Sequence, residues 1–303
     1  MFSLKNVLYF QAGLGVLANM CLLCFYIFII VGHRPKPTDL ISCQLTFIHI
    51  MVFLTGGDLL LTDIFESLNI ENDFKCKATF YISRVMRCLS ICTTCLLSVF
   101  QAVTISPSTS YLAKFKQKLR KYMVYVFSCI WSFSFSYSSS RIFYVRGFTN
   151  VSESNQMQIT KSCLLFRMNS IIRVFIFTVT TSRDVFLVGV MLITSTYMVI
   201  ILCRHQRQCK HLHSIKHLRA SPEKRATQTI LLLVIFFVVM YWVDFVISTI
   251  SVLLWRYDPV ILMVQKFLMY AYPTISPLVQ ISSDNRIIIM VKNMYSKHHQ
   301  RFF

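Results

Sequence analysis

From Val7 to Val31 the chain carries no charged side chain. A hydrocarbon layer about 30 Å thick is crossed by roughly 20 apolar residues in a helix. Only a helix or a closed barrel pairs every backbone polar group there. The run from Val7 to Val31 is long enough, and it repeats in kind at residues 40–62, 76–106, 122–140, 184–203, 226–254 and 260–282. These runs predict an all-α bundle of seven transmembrane helices in one domain, followed by a short tail over 283–303. The fourth run is polar for its class, with Ser132, Ser134, Ser136, Ser138, Ser139 and Ser140. The first run is too long for a signal-peptide core, and no small-x-small cleavage site closes it. It is expected to be retained and to act as its own insertion signal.

Composition agrees. Charged residues make up only 14% and hydrophobic ones 55%, too little polar surface to coat a water-soluble globule of this length. A net charge of +19 would otherwise suggest nucleic acid. Lys and Arg, however, also collect on the cytoplasmic side of spans. With the N-terminus outside, more than half of the 31 Lys and Arg fall on the inner loops and the tail. They include Arg34 and Lys36, then Lys114, Lys116, Lys118, Arg120 and Lys121, then Arg204, Arg207, Lys224 and Arg225, and Arg286 in the tail. The loop after the fourth run is itself basic, with Arg141, Arg146, Lys161, Arg167, Arg173 and Arg183.

Of eleven cysteines, this topology leaves Cys76 and Cys163 on the outer, oxidising side. They are expected to form one disulfide. Cys88, Cys92 and Cys95 read as small packing residues on a helix, and Cys203 and Cys209 as free or palmitoylated. The same outer loop holds Asn150-Val151-Ser152, a glycosylation sequon. Neither a Gly-rich phosphate loop nor a His-Glu-x-x-His triplet occurs, so the chain is expected not to be an enzyme and to need no metal or cofactor.

Charges inside spans are costly and point to function by default. Asp58, Arg84, Arg87, Asp244 and Lys266 all fall in the outer half of their runs, and a polar cavity opening outward would gather them. The plainer account is snorkelling to headgroups and structural ion pairs, such as Arg84 with Asp63. Both stay open here. Asn19 and His49 read as interhelical hydrogen-bonding residues. On the inner side, Lys114, Lys116, Lys118, Arg120, Lys121, Arg207, Lys224 and Arg225 form a surface for anionic lipid or for a protein partner.

Four stretches add a resemblance. The run Ser90-Ile91-Cys92-Thr93-Thr94-Cys95-Leu96-Leu97-Ser98-Val99-Phe100-Gln101, ending at Ser106-Pro107, closely resembles the third-span signature of the vomeronasal type-1 receptors. Arg204-His205-Gln206-Arg207 leading to His211-Leu212-His213 resembles that family's third inner loop. Ser221-Pro222-Glu223-Lys224-Arg225-Ala226-Thr227 resembles its entry to the sixth span, and Pro273-Thr274-Ile275-Ser276-Pro277 its seventh. At the outer start of the fifth span the family usually has Ser-Phe-Pro-Asp, where this chain reads Thr181-Ser182-Arg183-Asp184. The resemblance implies a G-protein-coupled receptor plan in a sensory-neuron plasma membrane. It further implies a small-molecule chemosensory ligand and a heterotrimeric G protein of the inhibitory type. The alternatives are a bitter-taste-type receptor or, in a different class, a small membrane transporter. Against a transporter stand the odd span number, the few glycines and the lack of an internal repeat.

Overall fold

The computed structural model describes residues 2–32, 36–56, 72–106, 121–140, 142–147, 156–160, 163–166, 169–212, 234–247, 259–284 and 286–289, with Leu232 and Thr249. Its helices are α1 (Phe2–Gly32), α2 (Pro37–Gly56), α3 (Asn72–Ile105), α4 (Met123–Ser139), α5 (Ser170–Leu212), α6 (Val234–Ile247) and α7 (Pro259–Ser283). Among the described residues four helical stretches are long and apolar enough to cross a membrane: Asn6–Gly32, Pro37–Gly56, Asp73–Ile105 and Ser170–Ile201.

Local chemistry sets several ends. Lys36 caps α2: its backbone N–H donates to Asp39 Oδ2 at 3.0 Å while Asp39 N–H donates to the Lys36 carbonyl at 2.9 Å. Pro37 follows in the first helical position, where its missing N–H costs nothing. Asn169 caps α5, its Oδ1 accepting from the Ile171 N–H at 3.4 Å. That cap starts α5 at Ser170, well ahead of the expected start at Asp184. Arg173 and Arg183, counted from sequence as loop cations, therefore lie within a helix. Three serines of α4 find backbone partners: Ser128, Ser134 and Ser139 donate to the carbonyls of Val124, Ile130 and Ser136 at 3.0, 2.8 and 2.7 Å. Such back-bonding lets a serine-rich helix sit among apolar neighbours.

The fold departs from the all-α expectation between α4 and α5. Strands β1 (Val145–Gly147), β2 (Gln156–Thr160) and β3 (Cys163–Phe166) form an antiparallel sheet in the order β1-β3-β2. Thr160 of β2 pairs with Cys163, and Gly147 of β1 pairs with Cys163 on the other side. Strand pairing satisfies backbone groups that an irregular loop would leave open. Strand β1 lies against α3, and Val145 is fully buried. This end of the bundle is called the sheet end, and the opposite one the far end.

Helix α3 is the central column, contacting α2, α4, α5 and β1. Its most apolar window is 67% buried, against 17% for that of α5. Near the sheet end Ala12, Phe53, Met86 and Tyr270 share a core. At the far end Leu22, Tyr26 and Ile29 pack with Ile287, while Ile41, Leu97, Phe100 and Met123 join α2, α3 and α4. These contacts fix alternating helix directions. Helices α1 and α2 approach closely at Gly15, where an added Cβ would lie 2.3 Å from Phe53 Cζ.

Helix α7 contains Pro273 and Pro277. A helical carbonyl normally receives the N–H four residues on. For Pro273 that residue is Pro277, which has none. Asn19 takes its place: Nδ2 donates to the Pro273 carbonyl at 2.9 Å and to the Gly15 carbonyl at 2.7 Å. Asn19 is thus the interhelical hydrogen-bonding residue expected. His49 differs. Its ring meets Tyr272 edge to face at 5.4 Å, and its buried Nε2 has no partner among the described residues.

Candidate functional site

Arg87 lies 15 positions into α3 from Asn72, about 22 Å along the helix axis. Its Nη2 donates to Asp244 Oδ2 of α6. The Asp244 side chain is 8% exposed and that of Arg87 27%. Burying two charges is offset only when they meet with good geometry, so the pair ties α3 to α6. Asp244 Oδ1 is buried without a partner among the described residues.

A cavity of about 50 Å³ opens beside the pair. Its walls come from α2 (Val52), α3 (Arg87, Ser90), α6 (Phe237, Tyr241, Asp244) and α7 (Met269, Tyr272). Phe237 and Tyr272 meet edge to face at 4.5 Å. The site is therefore an aromatic and thioether pocket with one ion pair in its wall.

A second charged pair stands nearby on α5. Arg183 donates through Nε to Asp184 Oδ1 at 2.7 Å and through Nη2 to the same oxygen at 2.5 Å. Its Nη1 reaches Cys88 Sγ of α3 at 3.1 Å, and its guanidinium lies 4.4 Å from the centre of the Tyr137 ring. The Tyr137 hydroxyl donates to Thr180 Oγ1 at 2.6 Å. Sequence reasoning missed Arg183 and Asp184 by assigning the doublet to the edge of a loop. The available signal was Asn169-Ser170, a capping pair in front of an apolar run.

Of the five intramembrane charges predicted for a ligand site, the structure brings Arg87 and Asp244 together. Arg84 stacks over the Phe80 ring at 5.2 Å and does not line this cavity. Lys266 of α7 is half-buried, also away from the cavity lining. Asp58 lies outside the described residues, as do Asn150, Lys114, Lys116, Lys118, Arg120, Lys224 and Arg225. Lys121 precedes α4 and lies 5.6 Å from the centre of the Tyr122 ring. Arg207 belongs to the last turns of α5. Cys76 is disulfide-bonded. Cys21, Cys24, Cys43, Cys88, Cys92, Cys95, Cys129 and Cys203 are free.

The far end has its own charge cluster. Arg286 donates to both Asp39 oxygens at 2.8 and 3.1 Å and to Asp284 at 2.9 Å. The Asp39 side chain is 3% exposed and that of Arg286 42%. Donating to Asp39 raises the pKa of the guanidinium above its already high ordinary value. No group of three or more His, Cys, Asp or Glu with metal-binding geometry occurs among the described residues.

Comparison with known proteins places this arrangement. The profile of the vomeronasal organ pheromone receptor family matches residues 2–293. Vomeronasal type-1 receptor 100 of Rattus norvegicus is 39% identical over 298 residues, covering 96% of this chain and 90% of the relative. Vomeronasal type-1 receptor 90 of the same species is 38% identical, with 97% and 95% covered. Vomeronasal type-1 receptor 52 of Mus musculus is 34% identical, again with 97% and 95% covered.

Proposed function

The chain belongs to the vomeronasal type-1 receptor family of pheromone receptors, and we propose that ligand binding beside Arg87 and Asp244 switches it between two helix arrangements. The observation that carries this reading is the ion pair joining α3 to α6 in the wall of a cavity. A ligand shifts a conformational equilibrium only by its difference in affinity for the two states. A ligand that contacts the pair has such a difference if α6 moves, because the Arg87–Asp244 contact is made in one arrangement and broken in the other.

The chain crosses the plasma membrane seven times, with its N-terminus and the sheet outside and the residues after Ser283 in the cytoplasm. Cys76 bonds Cys163, which supports the approach of the sheet to α3: Cys163 sits beside Gly147 of β1, and β1 lies on α3. Asn150, in the same loop, carries glycan. Asp58, Arg84 and Lys266 border the outer mouth of the ligand path. Lys114, Lys116, Lys118, Arg120, Lys121, Arg207, Lys224 and Arg225 meet anionic lipid and a heterotrimeric G protein of the inhibitory type. Membership of a pheromone-receptor family matched over residues 2–293 favours this reading over a transporter and over a bitter-taste-type receptor.

The test is guanine-nucleotide exchange on an inhibitory-type G protein, driven by this receptor in membranes and screened against a library of small organic molecules. Ligand-dependent exchange that disappears in an Arg87→Met/Asp244→Leu variant at matched surface expression is expected. Exchange that persists unchanged in that variant would move the ligand site elsewhere.

A further inference from the structure

We propose that the cavity between α3, α6 and α7 selects an uncharged ligand whose head group both donates and accepts a hydrogen bond. The inference rests on the receptor reading above and adds the chemical class of the ligand.

The charges beside the cavity are already balanced. Among the described residues two arginine–aspartate pairs stand in this layer, Arg87 with Asp244 and Arg183 with Asp184. An ion of either sign would enter as an uncompensated charge. Alternatively, it would displace one partner and leave another charge buried alone. Both are expensive away from water. A neutral head group meets neither cost.

A guanidinium has five N–H donors, and the one acceptor met by Arg87 among the described residues is Asp244 Oδ2. Asp244 Oδ1 is buried and lacks a donor among the described residues. The pair therefore offers a spare acceptor and spare donors side by side. A hydroxyl or primary amide uses both. A ketone uses only the donors and leaves the buried oxygen unsatisfied, which is the costly outcome for a polar group out of water.

A cavity of about 50 Å³ holds roughly four waters, so the head group is compact. The remaining walls are Val52, Phe237, Met269 and Tyr272, which suit an apolar body carrying one polar end. Met240 also lines the cavity, and unbranched thioether chains repack readily around a guest.

The experiment uses the full-length protein in lipid nanodiscs and five one-ring probes of similar size: benzyl alcohol, benzamide, acetophenone, benzoate and benzylammonium. Saturation-transfer NMR reads binding of each. The Arg87→Met/Asp244→Leu variant, which buries no lone charge, serves as the lipid-partition control. Benzyl alcohol and benzamide are expected to lose at least fivefold in signal in the variant, and the other three to change less than twofold. A larger variant-dependent signal from benzoate or benzylammonium overturns the proposal. So does acetophenone matching benzyl alcohol, or the absence of a variant-dependent signal from all five. Because no G protein takes part, failure here is distinct from failure of nucleotide exchange.

Discussion

The two ends of the bundle both hold buried carboxylates met by arginine, yet they differ in how completely the carboxylate is satisfied. At the far end Asp39 accepts from two nitrogens of Arg286 and from the Lys36 backbone N–H. Both of its oxygens are used. In the sheet half Asp244 accepts from Arg87 through one oxygen only, and the other is left over beside a cavity. A saturated cluster has little to gain from a new partner. An unsaturated one does, and an unfilled buried polar atom in a native fold calls for an explanation. The far-end cluster therefore acts as a clasp between α2 and the segment after α7, while the sheet-half pair is the place where binding energy is available.

The sharpest way to break this comparison is to remove one charge from the sheet-half pair. Arg87→Ala strands Asp244, a loss of about 3–5 kcal/mol, and is expected to abolish surface expression. Arg87→Met/Asp244→Leu is expected to recover most of it. Flow cytometry of an epitope-tagged receptor measures both. A double variant as poorly expressed as the single one would show that the residues matter separately rather than as a pair.

The covalent tie is next in size. Cys76→Ser is expected to cost about 2–4 kcal/mol by freeing a long loop in the unfolded chain, and Cys163→Ser the same. The combination should cost no more than either. Thermal unfolding in nanodiscs checks this. Additive losses in the double variant would mean that Cys76 has another partner.

The helical character is readable from residues alone, because long uncharged apolar runs leave few options. The expected run 122–140 and the helix Met123–Ser139 nearly coincide, as do 260–282 and Pro259–Ser283. Arg87 and Asp244 also stand out in sequence as charges where charge is costly. What hydropathy cannot convey is continuity. A helix proceeds through Arg183-Asp184 because the doublet neutralises itself, so a charge count sees a loop where the backbone has no break. The sheet is equally hidden, since its strands are three to five residues long and pair across sequence. The relation of Asn19 to Pro277 was open to inference in principle, for a proline four residues after a carbonyl always orphans it. The sequence does not say which side chain repairs it.

That repair gives the third prediction. Asn19→Leu is expected to cost about 1–3 kcal/mol, since it leaves the Pro273 carbonyl unpaired. In an Asn19→Leu/Pro277→Ala background the restored backbone N–H should return part of the loss. Melting temperatures of the four proteins form the cycle. A purely additive result would deny the link between Asn19 and the proline.

The smallest effect belongs to the far-end clasp, and it tests the idea that saturation marks a structural cluster. Arg286→Ala removes two of the three donors to Asp39 but leaves the Lys36 N–H in place. The Arg286 side chain is partly exposed, so its removal lets water reach Asp39 and take over some of the lost bonding, and the cost falls well below that of a charge stranded away from water. A slight fall in melting temperature is therefore expected, with Arg286→Lys intermediate, because an ammonium cannot reproduce the bidentate contact. The comparison predicts more than this small loss. Since Asp39 has no spare capacity, the benzyl alcohol signal in the binding experiment should be unchanged in Arg286→Ala, whereas it collapses in the Arg87→Met/Asp244→Leu variant. If the far-end substitution altered binding as strongly as the sheet-half one, the two clusters would be coupled through α7. Saturation would then no longer separate a clasp from a site.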